Sequence, residues 1–352
     1  MQYKMAFIGF GGMAGWHYEN IKKKIPDLCI KGAFDIRESQ REKARSLGMH
    51  AYESLEELLN DEEISLVTIA TPNDVHKELA IKALESGKNV VCEKPVTLNS
   101  RELEEILEVQ RRTGKFFSVH HNRRWDRDFV IVKEALRQGL IGEPYFIESR
   151  VLGSRAESMF GWRAHRQNGG GMLLDWGVHL IDQALQLIDS KVISVEAHLK
   201  KIFGDEVDDN IRLVLQFENG VSYFMEMATN CFINQPRWHV SATRGTLAID
   251  DWSCKGKIMY KKEGSDIKWD EDIVYTEAGP TRTMAPRPVE TMLETKLPDM
   301  QSDWTDFYKN VVDCLSGKAE QIVKHDELLR LMRVVDLLFE SDRQKQGLKC
   351  CL

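Results

Sequence analysis

Two stretches of this 352-residue chain gather side chains that can move a proton while holding charge on an oxygen. One is Gly169-Gly170-Gly171-Met172-Leu173-Leu174-Asp175-Trp176-Gly177-Val178-His179-Leu180-Ile181-Asp182. His179 follows Asp175 by four residues and precedes Asp182 by three, so on a helix all three share one face. A neutral imidazole, with a reference pKa of about 6.5, accepts a proton near neutral pH. Asp175 is placed to grip a substrate hydroxyl or to help hold that imidazole. Asp182 is placed to orient the other ring nitrogen or, equally, to make a plain helix-to-core hydrogen bond. The second stretch is Glu93-Lys94-Pro95, where Lys94 supplies a cation that steadies a developing alkoxide. A lone lysine is ordinarily a solvated charge and a lone histidine ordinarily structural, so the case rests on the combination.

Strand-helix alternation through the first third must bring these groups together. Apolar runs at 5–8, 29–34, 64–70, 89–92 and 116–119 read as buried strands, with helical patterns at 14–24, 39–47, 55–60, 75–86 and 100–112 between them. This alternation predicts a doubly wound parallel sheet, an α/β Rossmann domain, over residues 1–121. Strand carboxyl ends line the crevice of such a sheet. Thr71-Pro72-Asn73-Asp74-Val75-His76 and Glu93-Lys94-Pro95 follow two of those ends.

Gly9-Phe10-Gly11-Gly12-Met13-Ala14 fits G-x-G-x-x-[GA] between the first strand and first helix. Gly9 permits the turn, Gly11 the approach of a pyrophosphate, and Ala14 close helix-to-sheet packing, with the helix N-terminus facing the phosphates. Asp35 closes the second strand, 26 residues after Gly9, where an acid that binds ribose hydroxyls belongs. Its charge repels a 2′-phosphate and so favours NAD. Arg37 is two residues on and suits a 2′-phosphate, which keeps NADP open.

Beyond residue 121 the pattern changes. Helices are expected at 126–138 and 173–188 and strands at 145–151, 211–217, 221–227, 238–243, 246–249, 257–260 and 273–275, with Asn219-Gly220 as a hairpin turn. Residues 122–302 therefore read as an α+β domain with a large, mainly antiparallel open sheet. Residues 278–299, with four prolines, read as a long loop. Residues 303–352 hold two closing helices, near 304–315 and 326–341, expected to pack near the domain junction. Strands 211–227 are apolar at alternate positions, which suggests an apolar sheet face covered in a homodimer or homotetramer.

Composition narrows the function. The balance of 42% hydrophobic and 29% charged residues is that of a globular protein, and the net charge of -7 argues against a nucleic-acid binder. No run approaches a membrane span, and the opening residues carry no signal-peptide pattern, so a cytoplasmic location is expected. Seven cysteines without metal-ligand spacing read as reduced thiols, with Cys350-Cys351 at a frayed end. No metal is expected. His120-His121 are adjacent on a strand and point apart, and His17, His50, His198 and His239 read as structural or surface residues.

The glycine motif, Glu93-Lys94-Pro95 and the run from Gly169 to Asp182, in that order, resemble the glucose-fructose oxidoreductase / inositol dehydrogenase family (Gfo/Idh/MocA) over nearly the whole chain. The resemblance implies Lys94, Asp175 and His179 as the catalytic set. It also implies a cofactor bordered by Gly9, Gly11, Gly12, Met13, Ala14, Asp35, Arg37, Thr71, Pro72, Asn73, His76, Glu93 and Lys94. The expected reaction interconverts a secondary alcohol and a ketone on a sugar, glycoside or cyclitol. Two alternatives stand beside it: an NAD-dependent glycoside-cleaving or epimerising enzyme that oxidises its substrate transiently, and a nucleotide-bound sensor. The intact trio argues against the sensor. Asn122, Arg123, Trp162 and Arg163 are candidate substrate contacts with Lys94, Asp175 and His179, because aromatic faces and guanidinium forks suit polyhydroxylated ligands. Arg282 and Arg287 reach either the cleft or a neighbouring subunit.

Overall fold

The computed structural model describes residues 2–265 and 267–352. Its first sheet has six parallel strands: β1 (Tyr3–Ile8), β2 (Leu28–Phe34), β3 (His50–Ala51), β4 (Leu66–Ile69), β5 (Asn89–Cys92) and β6 (Phe117–Val119). Their order is β3-β2-β1-β4-β5-β6, and α1 (Gly12–Lys24), α2 (Glu38–Ser46), α3 (Leu55–Asn60), α4 (His76–Glu85) and α5 (Ser100–Thr113) carry the chain between them. The order reverses between β1 and β4, so a crevice opens at their carboxyl ends, where Gly9 and Ala70 lie. All four residues of β4 are buried, as a strand covered on both faces requires.

The second sheet follows α6 (Arg127–Gln138). It contains β7 (Pro144–Leu152) and, after α7 (Val178–Leu187), the strands β8 (Val192–Lys200), β9 (Asn210–Phe217), β10 (Ser222–Ala228), β11 (Trp238–Ala242), β12 (Gly245–Ile249) and β13 (Gly256–Lys261). A separate ribbon, β14 (Ile273–Thr276) and β15 (Gly279–Arg282), precedes the edge strand β16 (Met292–Thr295). After α8 (Asp306–Leu315) and α9 (His325–Gln344), β17 (Leu348–Lys349) closes the other edge. The nine strands run β16-β13-β12-β11-β7-β10-β9-β8-β17, and among them only β7 and β10 pair in parallel.

Several expectations need correction. Residues 278–299 are not one loop, because β15 and β16 lie inside them. The strand β8 is not among the expected strands, although Val195, Ala197 and Leu199 alternate with Glu196, His198 and Lys200 along it. The chain end is not frayed. Cys350 donates its backbone N–H to Ile193, and Leu352 exchanges backbone hydrogen bonds with Val192. The alternating apolar residues of β9 and β10 do not form an outer face. Ile211, Leu213, Leu215, Tyr223, Met225 and Met227 lie in the core beneath the helices, together with Leu180, Ile181 and Val335. Polar alternation on an antiparallel sheet puts the charges outward instead, here Arg212 and Glu226 at 2.8 Å.

Helix α9 belongs to both cores. Leu328 and Met332 pack with the parallel sheet, whereas Leu331, Val334, Val335 and Leu338 pack with the antiparallel one. A buried ion pair supports the same junction. Arg124 donates to both carboxylate oxygens of Asp182, at 2.8 and 2.6 Å, and to Glu327 of α9 at 2.7 Å. Asp182 is thus the partner of Arg124 and does not orient His179. Its offset along α7 aims it at the helix-to-core contact.

Candidate active site

Lys94 follows β5 and Asp175 precedes α7, so their meeting joins the two sheets. Lys94 Nζ donates to Asp175 Oδ1 at 3.1 Å and to the Asp175 carbonyl at 3.0 Å. Arg163 Nε reaches the same Oδ1 at 3.2 Å. Burial pushes the Asp175 carboxyl upward, but Lys94 and Arg163 outweigh it and hold the group below its ordinary range. Residues Leu173–Gly177 form a π-helical turn before α7. Such a turn commonly marks a functional site. Asp208 holds its start by accepting the Leu173 N–H at 2.7 Å, and a Cβ on Gly171 would stand 2.5 Å from the same carboxylate. Gly171 also has φ +105, so a residue with a side chain would be strained there.

His179 is buried, with an Nδ1 that has no partner among the described residues. Burial first, then the nearby Lys94 and Arg123, lower its pKa well below that of a free histidine. It is therefore neutral at pH 7. His121 faces it, with ring centroids 6.3 Å apart, while His120 turns the other way toward Glu93.

One wall of the cleft was only partly legible in the sequence. The Arg123 guanidinium lies 4.0 Å from the Trp176 ring centroid and 5.6 Å from that of Trp252. Arg163 packs 4.3 Å from the Trp162 ring centroid. Trp252 sits on the turn between β12 and β13 and carries no local motif, so only the tertiary fold reveals it. Asn122 makes no side-chain hydrogen bond among the described residues. A cavity of about 240 Å³ adjoins this wall, lined by Asp175, Trp176, Met159, Phe160, Met172 and Arg155. Arg282 pairs with Glu271, and Arg287 donates to the Ser265 carbonyl and packs on Trp269, so both serve the β14–β15 arm.

The geometry of the glycine turn fits a dinucleotide. Gly9 has φ +86, and a Cβ there would lie 2.7 Å from the Ala70 carbonyl oxygen. Around Gly12 nothing lies within 4 Å of a would-be Cβ, which leaves room for a pyrophosphate. No side chain caps α1 and its first turn, with Met13 and Ala14, carries no acid. The N–H groups and dipole of α1 are therefore available to an anion. Asp35 accepts hydrogen bonds from the Phe10 and Arg37 backbone N–H groups, both at 2.9 Å, and pairs with the Arg37 guanidinium.

Three other expected cofactor residues hold the protein to itself. The two ring nitrogens of His76 lie 2.9 Å from the Pro95 carbonyl and 3.1 Å from the Thr71 carbonyl, and the neutral ring donates to one of them. Asn73, beyond Pro72, donates to the Gly169 carbonyl at 2.8 Å. Glu93 points inward, where His17 Nε2 and His120 Nδ1 both meet its Oε1 at 2.7 Å. These three side chains bring ligand-type atoms within 4.8 Å of one another, and their contacts close as hydrogen bonds. His17 is 76 residues from Glu93, and no local signal links them.

A six-stranded parallel sheet with a glycine turn at its switch point, joined to a second sheet by a lysine–aspartate contact, defines a nicotinamide-dinucleotide oxidoreductase. Residues 3–121 match the family described as "Oxidoreductase family, NAD-binding Rossmann fold", and residues 129–248 match "GFO/IDH/MocA C-terminal domain". The chain belongs to the Gfo/Idh/MocA family, and its cofactor is NAD or NADP. It is similar to the crystal structure of an NAD-binding protein from Listeria innocua, 42% identical with a TM-score of 0.94 over 99% of both chains. An uncharacterized oxidoreductase of Schizosaccharomyces pombe is 28% identical over 98% of this chain and 99% of its own. The scyllo-inositol 2-dehydrogenase (NADP(+)) of Bacillus subtilis is 26% identical over 83% of this chain and 80% of its own.

The buried histidines make stability acid-sensitive. Burial lowers His120 and His121 to about 4, each against partial compensation by a nearby carboxylate. A histidine held neutral by the fold costs nothing above its unfolded pKa of about 6.5. Below that pH the unfolded chain takes up the proton first, so stability falls from about pH 6.5 toward 4. Each of the two contributes a loss on the order of 2 kcal/mol by pH 5. Urea unfolding at pH 7.5 and pH 5 measures it, and equal stability at both would contradict this account.

Proposed function

We propose that this oxidoreductase interconverts a secondary alcohol and a ketone on a sugar, glycoside or cyclitol, with Lys94, Asp175 and His179 as its catalytic set. The observation that carries the reading is the Lys94–Asp175 contact across the two sheets, one helical turn before a neutral, buried His179. When bound, the nicotinamide accepts the hydride from the carbinol carbon, or donates it in reverse. His179 takes the hydroxyl proton, for which its neutral state prepares it. Lys94 has two of its three N–H donors on Asp175, which leaves one for the alkoxide oxygen. Asp175 Oδ1 is shared by two cations, and Oδ2 remains to accept a second substrate hydroxyl. The wall of Trp176, Arg123 and Trp252 supports a polyhydroxylated ring as substrate.

His179→Ala should lower kcat by about 10²–10⁴-fold. Lys94→Ala should lower it by about 10²–10³-fold. Cofactor affinity should change little in either, because both groups act in the transition state. Higher pH should rescue the histidine variant more than the lysine variant, since hydroxide can replace a base. Near wild-type turnover by His179→Ala would remove it as the base.

Asp35 supports NAD as the preferred dinucleotide, although its pairing with Arg37 leaves a guanidinium beside the phosphate turn. A panel of cyclitols, free hexoses and glycosides, followed by absorbance at 340 nm with each dinucleotide, tests substrate and cofactor together. Net NADH from an intact polyol is expected, and Asp35→Ala should narrow the preference for NAD. Cleaved glycoside without net NADH would move the protein to transient-oxidation chemistry, and faster turnover with NADP would make Arg37 the deciding residue.

The outer face of the nine-stranded sheet supports a homodimer or homotetramer, on new grounds. Exposed Tyr145, Phe146 and Phe224 cluster there, with Phe146 and Phe224 ring centroids 5.8 Å apart. The mass at micromolar concentration should exceed one chain; a monomer would overturn this.

A further inference from the structure

Beneath Lys94 lies a buried assembly that the alcohol chemistry does not itself require. Glu93 Oε1 meets His17 Nε2 and His120 Nδ1, both at 2.7 Å, and its Oε2 accepts the backbone N–H of Lys94 at 3.2 Å. Beyond His17, Nδ1 meets the Tyr308 hydroxyl at 3.0 Å, and that hydroxyl lies 3.3 Å from Thr68 Oγ1. His17, His120, Tyr308 and Thr68 are fully buried and Glu93 is 5% exposed. An ionised carboxylate only accepts hydrogen bonds, so both histidine nitrogens facing Glu93 donate. With His17 donating from Nε2, a consistent set of directions has Tyr308 donating to Nδ1 and accepting from Thr68. Burial raises the Glu93 pKa, but His120 and His17 outweigh it and keep the carboxyl well below its ordinary range.

The members come from separate elements: His17 from α1, whose N-terminus faces the phosphate site; Thr68 from β4; Glu93 and Lys94 from the end of β5; His120 after β6; and Tyr308 from α8. Trp16, beside His17, stacks on Trp304 with ring centroids 3.7 Å apart, which ties α1 to the segment that enters α8. Pro95 restricts the Lys94 backbone but offers it no hydrogen-bond donor, so the Lys94 N–H is left to find an acceptor where the chain leaves β5. An anion fixed by two histidines accepts that N–H and adds a buried anchor to the backbone of Lys94.

We propose that Glu93, His17 and Tyr308 are positioning residues that hold the Lys94 ammonium at its place against Asp175. This deepens the proposed function and rests on Lys94 as the catalytic cation. It adds that α1 and α8 set the lysine's position through one buried carboxylate.

The inference makes the effect of these residues conditional on Lys94. Tyr308→Phe removes one hydroxyl without opening a void, and it should lower kcat roughly 10-fold, with His17→Gln and Glu93→Gln approaching 10²-fold, the scale of a sub-ångström to ångström misplacement. In a Lys94→Ala background the same substitutions should cost nothing further, because the group they position is gone. Turnover is read with NAD and myo-inositol, or whichever panel polyol reacts fastest. Equal fold-losses in the presence and absence of Lys94, or unchanged turnover in Tyr308→Phe, would overturn the proposal. A second readout needs no substrate: a crystal structure of Glu93→Gln should have Lys94 Nζ displaced from Asp175, and an unmoved Nζ would overturn it equally. If Lys94→Ala itself keeps wild-type turnover, the catalytic reading of Lys94 falls, and the Nζ position in Glu93→Gln still decides whether the assembly holds the lysine.

Discussion

The contact between Lys94 and Asp175 is the constraint that everything else in this structure serves. Lys94 follows a strand of the first sheet, and Asp175 lies in the π-helical turn that packs with the second core. A contact of about 3 Å survives only if both ends are over-determined. The protein fixes one end with the carboxylate of Glu93. It fixes the other with Asp208 at the head of the π-helical turn and with Asn73 on the glycine run. The Arg124–Asp182 pair and α9 then keep the sheets from sliding.

The electrostatics follow from the same need. Burying ionisable groups is costly unless each finds a partner or gives up its charge. Carboxylates here find partners: Asp175 with Lys94 and Arg163, Asp182 with Arg124, Glu93 with two histidines. Histidines give up charge: His76, His120, His121 and His179 are all lowered by burial. The cleft thus presents fixed cations and a neutral imidazole side by side.

Much of this was legible in the sequence because it is local. The glycine turn, the parallel strands and the Asp175–His179 spacing each occupy a few adjacent residues and obey the periods of helix and strand. What escaped is what depends on distance along the chain. Asp182 had two equally good readings until Arg124 appeared opposite it, 58 residues away. Glu93 was expected beside the cofactor, but its side chain turns inward to His17. Trp252 had no pattern to announce it. The apolar alternation of β9 and β10 was read correctly as strand, yet which side faced the core required the helices to be in place. β8 is absent from the expected strands although Val195, Ala197 and Leu199 alternate with Glu196, His198 and Lys200; small Ala197 weakens that period.

Helix α9 has one further consequence. Every member of the proposed catalytic set precedes residue 180, and from the last fifth of the chain Tyr308 joins the assembly proposed to position it. Yet Leu328 and Met332 seal one core while Leu331, Val335 and Leu338 seal the other. A chain that stops before this helix leaves part of both cores uncovered, and exposed apolar surface of that kind is an aggregation hazard even with every proposed catalytic group present.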